Sequence, residues 1–290
     1  MSQRIDLHTH SHYSDGALSP DELAAGAAAR DVALLALTDH DTVAGCDAAR
    51  SACAARAIHF VPGVELSSEW RGREIHVIGL AVDPAQGGLR LHCDQMQERR
   101  RRRIERIAAK LDTAGLPGTD LTRSALAATS PTRSHIAHAL CAAGIAANPE
   151  AAFEHWLARG RPGHVAAEWE SMAHVVGRIV AAGGIPVLAH PHRYKVSNGQ
   201  LRELTGEFKR AGGVGIEVSL AGMGPGDRDR VASLARRFEL AGSFGSDYHH
   251  PGIPWRPLGR FDKLPDGVTP VTLHLGTAFC PTYAAVTGQS

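Results

Sequence analysis

The residues best equipped for chemistry are histidines and acids gathered in three short clusters. The first is Ile5-Asp6-Leu7-His8-Thr9-His10-Ser11-His12-Tyr13-Ser14-Asp15-Gly16. The second is Thr38-Asp39-His40-Asp41, and the third is Gly245-Ser246-Asp247-Tyr248-His249. His8 and His10 lie two apart at the end of an apolar run. On a β-strand, residues i and i+2 face the same way, so both imidazoles reach one metal ion. Glu65, His76 and His190 complete a set of nine candidate ligands with His8, His10, Asp15, His40, Asp247 and His249. Nine such side chains exceed what one ion needs and fit two or three ions, with a carboxylate bridging a pair. Clustered divalent ions suit phosphate ester hydrolysis: they bind the non-bridging oxygens, lower the pKa of a water and stabilise the leaving oxygen. The expected route is in-line attack of a metal-bridging hydroxide on phosphorus. His192, Arg193 or His249 would assist the leaving group. No Gly-x-Ser-x-Gly elbow and no cysteine in a reactive motif is present, so a covalent intermediate is not expected.

These residues need a scaffold that brings distant segments to one place. Short apolar runs alternate with alanine-rich helical stretches. The expected strands are Arg4–Leu7, Ala33–Thr38, His59–Glu65, Glu74–Leu80, Pro186–Ala189, Gly215–Val218 and Ala241–Ser246. Helices are expected over Pro20–Asp31, Thr42–Arg56, Ser171–Ala182, Gly199–Ala211 and Gly226–Phe238. Ser19-Pro20-Asp21-Glu22 is a strong helix start, with an N-cap serine, proline at the first helical position and then acids. Alternating strands and helices predict a parallel α/β sheet, and seven strands suit a barrel. Every candidate ligand except His76 then falls at or just past the C-terminal end of a strand. That is the end where a parallel barrel builds its active site.

The segment 95–163 breaks the pattern. It is helical and lacks a convincing strand, so it reads as an insert between strands four and five, with the barrel made of 1–94 and 164–290. Its run Arg99-Arg100-Arg101-Arg102-Arg103 is the obvious source of positive charge. The apolar stripe Leu111, Ile107 and Ile104, carried backward, passes through Arg103 and Arg100. Those two are expected on the packed side as anion binders, while Arg99, Arg102 and Arg106 stay in solvent. Arg133, Ser134 and His135 are further substrate contacts in the insert, suited to holding a second phosphate.

Bulk properties narrow the class. A formal net charge of +1 gives no general attraction to nucleic acid, so anion binding must be local. The five cysteines, Cys46, Cys53, Cys93, Cys141 and Cys280, form no CxxC pair and are odd in number. Free thiols in a reducing cytoplasm are expected rather than a disulfide framework. No run approaches membrane-spanning length and no signal-peptide pattern is present, so neither a membrane nor an obligate protein partner is expected.

Taken together, the motifs carry a resemblance. His8-x-His10-Ser11-x-x-Ser14-Asp15-Gly16, Thr38-Asp39-His40-Asp41, Gly63-Val64-Glu65, Ala189-His190-Pro191 and Gly245-Ser246-Asp247-x-His249 resemble the motifs of the PHP (polymerase and histidinol phosphatase) superfamily. Thr132-Arg133-Ser134-His135, Leu157-Ala158-Arg159-Gly160 and His190-Pro191-x-Arg193-Tyr194 resemble its 3′,5′-nucleotide bisphosphate phosphatase and 5′→3′ exoribonuclease branch. The resemblance implies a distorted (β/α)7 barrel and three divalent ions, usually manganese, with iron or zinc as alternatives. It implies that His8, His10, Glu65 and Asp247 hold one ion. Glu65, His76 and His190 would hold the second, and Asp15, His40 and His249 the third. His12, His192 and His250 occupy variable positions. The implied reaction removes the 3′-phosphate of a nucleoside 3′,5′-bisphosphate such as adenosine 3′,5′-bisphosphate. The alternatives are a 5′→3′ exoribonuclease on the 5′ ends of short RNA and, in a different class, a metal-dependent amidohydrolase acting on C–N bonds.

Overall fold

A computed structural model describes residues 4–252 and 255–276. Seven strands follow one another in a single sheet: β1 (Arg4–Asp6), β2 (Val32–Leu37), β3 (His59–Trp70), β4 (Arg73–Leu80), β5 (Ile185–Leu188), β6 (Gly215–Leu220) and β7 (Ala241–Gly245). Just past β1 and β7 the two edges of the sheet meet. The Asp247 amide donates to the His8 carbonyl and the His10 amide to the Tyr248 carbonyl, both at 2.9 Å. The outer helices are α1 (Pro20–Ala28), α2 (Cys46–Ala54), α7 (Met172–Ala181), α8 (Asn198–Arg210) and α9 (Pro225–Arg237). Helix α1 starts as its sequence dictates: Ser19 and Glu22 form a reciprocal capping box ahead of Pro20.

Strand alternation sorts the core. Leu34 and Ala36 face a cluster with Ile5, Leu7, Val61, Ile78 and Val187. Leu35 and Leu37 face the opposite way, toward Leu23 of α1 and Ala49 and Cys53 of α2.

The expectation of an all-parallel sheet needs correction at β4. Strand β3 runs on to Trp70 and turns at Arg71-Gly72, both at positive φ (50° and 73°), into an antiparallel β4. Two consecutive left-handed residues give the tight turn that joins hairpin strands. β4 is also antiparallel to β5. Periodicity cannot report strand direction, because alternation is the same either way. The reversal explains His76, which pairs with Ser67 near the start of β4. In a strand that runs backward, the early residues lie at the end where the other strands finish.

Between β4 and β5 the chain forms α3 (Gly87–Thr113), α4 (Gly118–Ala127), α5 (Arg133–Ala142), α6 (Pro149–Ala152) and a wide turn Phe153–Leu157 before α7. Helix α3 is continuous across residue 95. Its Leu89 and Cys93 pack in the core of the barrel. Ile104, Ile107 and Leu111 pack in a second core with Leu121, Ile136, Leu140 and Leu157. Cys46, Cys53 and Cys93 are buried free thiols, Cys141 is half-buried, and Cys280 lies outside the described residues. Among the described residues no helix is long and apolar enough to cross a membrane.

Candidate metal centre

Glu65 is fully buried and sits at the centre of the site. Its Oε1 lies 2.8 Å from His190 Nε2 and 3.0 Å from His76 Nδ1. Its Oε2 lies 3.3 Å from both His8 Nε2 and His10 Nε2, and 3.2 Å from His40 Nδ1. Asp247 Oδ1 faces His8 Nε2 at 3.3 Å and His10 Nε2 at 3.4 Å. Asp15 Oδ1 faces His249 Nε2 at 3.3 Å, His40 Nε2 at 3.8 Å and His10 Nδ1 at 4.0 Å. All nine sequence-predicted ligands are therefore brought together, from β3, β4 and the segments after β1, β2, β5 and β7.

The donor set fits metal binding. His8 Nε2 and His10 Nε2 point at each other across 3.0 Å, with two carboxylate oxygens beside them. Asp15 Oδ1, His40 Nδ1 and His190 Nδ1 are buried without a hydrogen-bond partner. Three compact groups emerge: His10, Asp15, His40 and His249; His8, His10 and Glu65; and His40, Glu65 and His76. A buried set of lone pairs this dense is compensated by divalent ions, which prefer imidazole and carboxylate together.

The electrostatics follow from packing. Burial lowers His10, but Asp247 and Glu65 outweigh it and raise the ring to about 9. His76 is likewise raised to about 10 against its burial, chiefly by Glu65 and then by Glu74. His40 goes the other way: burial lowers it to about 3, more than Glu65 and Asp15 can offset. Burial would raise Glu65, yet His40, His8 and His76 hold it well below the usual carboxylate range.

A surrounding ring of hydrogen bonds, in which Asp6, Asp39, Glu217 and Tyr194 were given no role from the sequence, holds these side chains in place. Buried Asp6 accepts the backbone N–H of His8, Ser246 and Gly259, so it locks β1 to β7. Asp39 accepts Ser11 N–H and the Ser11 and Ser14 hydroxyls at 2.6–2.8 Å, pinning the loop that carries Asp15. Glu217, in mid-β6, accepts from His8 Nδ1 at 2.8 Å and from the His190 amide at 2.6 Å. The signal for Glu217 was present: a lone carboxylate in the otherwise apolar run Gly215-Ile216-Glu217-Val218. Tyr194 Oη donates to the Ala189 carbonyl at 2.8 Å and accepts the His76 amide at 2.9 Å, tying β5 to β4. His249 Nδ1 lies 2.9 Å from its own loop's Asp247 carbonyl, which turns Nε2 toward Asp15.

The predicted substrate residues separate. Arg100 and Arg103 are buried, on the side the stripe foresaw. Arg100 directs every donor group to protein: Nε to Asp41 Oδ2 at 2.7 Å, Nη2 to Ser67 Oγ at 2.8 Å and Nη1 to the Pro131 carbonyl at 3.1 Å. Arg103 donates to the Val165 carbonyl and stacks with Arg100 on Trp169. Glu74 links Arg103 Nη1 at 3.5 Å and Arg133 Nη2 at 3.1 Å, and reaches His76 Nε2 at 3.7 Å. Arg99, Arg102 and Arg106 pair with Glu170, Glu98 and Glu168 nearer the surface. Arg133, Ser134 and His135 form the first turn of α5, where the His135 ring accepts the Thr132 amide as a cap. Arg193 forms an ion pair with Asp247, and Arg256, missed in the sequence, approaches the same carboxylate at 3.8 Å. His192 is half-buried, and burial with Arg193 and His190 nearby lowers its ring to about 4. His12 and His250 are exposed.

Comparison with known proteins agrees with this geometry. Residues 6–87 match the family model "PHP domain". A 5′-3′ exoribonuclease of Haemophilus influenzae is 40% identical over 93% of this chain and 98% of its own length. A 3′,5′-nucleoside bisphosphate phosphatase of Chromobacterium violaceum is 39% identical over 93% of this chain and 96% of its own. A solved Chromobacterium violaceum structure, described as an amidohydrolase with bound sulfate and no metal, superposes with a TM-score of 0.90. It is 38% identical and covers 95% of this chain and 96% of its own. Relatives this similar along nearly the whole sequence, with the PHP motifs converging on one buried centre, establish that the chain belongs to the PHP family.

Proposed function

We propose that this chain is a metal-dependent phosphoesterase that removes the 3′-phosphate from nucleoside 3′,5′-bisphosphates, leaving the 5′-monophosphate and phosphate. The observation that carries the reading is the nine-residue centre with the first turn of α5 and Arg133 close beside it. His8, His10, Glu65 and Asp247 would hold one divalent ion. Glu65, His76 and His190 would hold a second, and Asp15, His40 and His249 a third. Manganese suits this mix of imidazole and carboxylate, with iron or zinc as alternatives. The bound ions would supply charge neutralisation at the phosphoryl oxygens and an activated water.

The chain's own residues then select the substrate. The N-terminus of α5 offers backbone N–H groups and Ser134 to an anion, and Arg133 adds a charge-assisted donor. Arg133 is held by Glu74, which also reaches His76, so a 5′-phosphate bound there lies next to the metal cluster. Arg103 shares Glu74 and supports that anchor with His135. Arg100 acts as a tie between α3 and the loop of His40, because its donors already have protein partners. His192 and Arg193, the latter paired with Asp247, would be the groups that assist the leaving oxygen.

A second reading is favoured by the Haemophilus influenzae relative, named for 5′-3′ exoribonuclease activity. One anchor for a 5′-phosphate beside one hydrolytic centre serves both reactions, since each cleaves a 3′ phosphoester. Buried free thiols suit a reducing cytoplasm. The test is phosphate release by the Mn2+-loaded protein from adenosine 3′,5′-bisphosphate, 3′-AMP, 5′-AMP and histidinol phosphate, with a 5′-phosphorylated RNA oligomer in parallel. The bisphosphate is expected to be cleaved fastest of the small substrates. Equal kcat/KM for 3′-AMP and the bisphosphate would remove the 5′-phosphate anchor, and no release from either would remove the phosphatase.

A further inference from the structure

Glu217 is completely buried in the middle of β6. Its two oxygens have separate duties. Oε1 lies 2.8 Å from His8 Nδ1, and Oε2 accepts the backbone N–H of His190 at 2.6 Å. Oε1 accepts in this contact, which places a proton of His8 on Nδ1. That leaves the lone pair on Nε2, the atom facing Glu65 and Asp247. The second contact acts on backbone. His190 has φ 28°, a conformation that a residue with a side chain adopts rarely and only when its surroundings hold it there. With its amide tied to Glu217, the His190 ring points Nε2 at Glu65 Oε1, 2.8 Å away. One carboxylate thus orients side chains just past β1 and just past β5, which face different oxygens of Glu65.

We propose that Glu217 is a positioning residue for metal loading, setting the ring tautomer of His8 and the backbone of His190 together; this rests on reading the nine-residue cluster as a metal centre. Carboxylates behind metal-binding histidines typically alter metal affinity by about 10–100-fold. The discriminating variant is Glu217→Gln. It keeps the volume but has one oxygen, so one of the two contacts is lost and an N–H group is turned against a donor.

Purified wild type and Glu217→Gln are stripped with a chelator, dialysed and titrated with Mn2+ alone. Bound metal is measured by elemental analysis and the dissociation constant by competition with a metallochromic chelator. Melting of both metal-free proteins is followed as a control for the fold. The expected result is a dissociation constant raised at least tenfold in Glu217→Gln, with metal-free melting close to wild type. Unchanged Mn2+ affinity in the folded variant overturns the role of Glu217 while leaving the metal centre intact. Failure of the wild type to bind Mn2+ removes the metal centre itself. Should Glu217→Gln not fold, Glu217→Asp keeps the charge but loses one methylene of reach. It must then weaken Mn2+ binding at least threefold, and an unchanged constant overturns the inference.

Discussion

Glu65 shows how much one side chain can coordinate. Five imidazoles approach its two oxygens, so replacing it should do more than remove one ligand. Glu65→Gln is expected to lower both bound Mn2+ and kcat by at least about 100-fold, read by elemental analysis and phosphate release. The two arginines buried or half-buried near the centre should behave differently. Removing Arg133 withdraws a charge-assisted contact worth about 1.5–3 kcal/mol, so KM for the bisphosphate should rise roughly 10–100-fold while that for 3′-AMP stays put. Removing Arg100 leaves Asp41 buried and unpaired, and Arg100→Ala should destabilise the fold by about 3–5 kcal/mol, measured by urea unfolding of the metal-free protein. The candidate ligands were legible because histidines and acids at strand ends have few other reasons to be there. Glu217 stood out only as a lone carboxylate in an apolar run, and its role and that of Asp41 were hidden because their partners, His8 and Arg100, lie 209 and 59 residues away.

At the scale of elements, the strands and outer helices were readable to within a few residues, and the direction of β4 was not. The missing information sat in Arg71-Gly72, whose turn reverses the chain and carries His76 to the working end. Close approach between strands makes a second demand. A Cβ on Gly245 would meet His8 Cβ at 2.7 Å and the His8 amide nitrogen at 2.8 Å. Gly245→Ala must therefore push β7 away from β1 and separate Asp247 from His8. Expected outcomes are a fall in thermal stability and weakened Mn2+ binding, both read on the same purified protein. Gly72→Ala is the contrast: nothing lies within 4 Å, so only the left-handed backbone is penalised, by about 1 kcal/mol, and metal affinity should hold.

At the scale of the molecule, the core beside the sheet and the core of the helices between β4 and β5 are joined by α3, which contributes to both, and by Asp41. Its Oδ1 accepts Ser67 N–H, its Oδ2 accepts Arg100, and its carbonyl accepts Gln97 Nε2 at 2.6 Å. The helical character of the insert was evident in the sequence; this knot was not, since it depends on how two separate cores meet. Ions bound at the centre would join β3 and β4 to the segments that follow β1, β2, β5 and β7. Chelation should lower the melting temperature, and saturating Mn2+ should restore about 2.7 kcal/mol at one hundred times the dissociation constant. A melting curve indifferent to both treatments would contradict that linkage.

The seam between β1 and β7 has a consequence for how the protein is made. His8 is synthesised well before Asp247, which follows 239 residues later, yet their side chains lie 3.3 Å apart. At translation rates of about 5–20 residues per second, the two residues are separated by roughly 10–50 s of synthesis. During that interval His8, His10 and Glu65 exist without the partners that complete the site. The nascent protein would therefore carry a half-built cluster, completed only once β7 has joined β1.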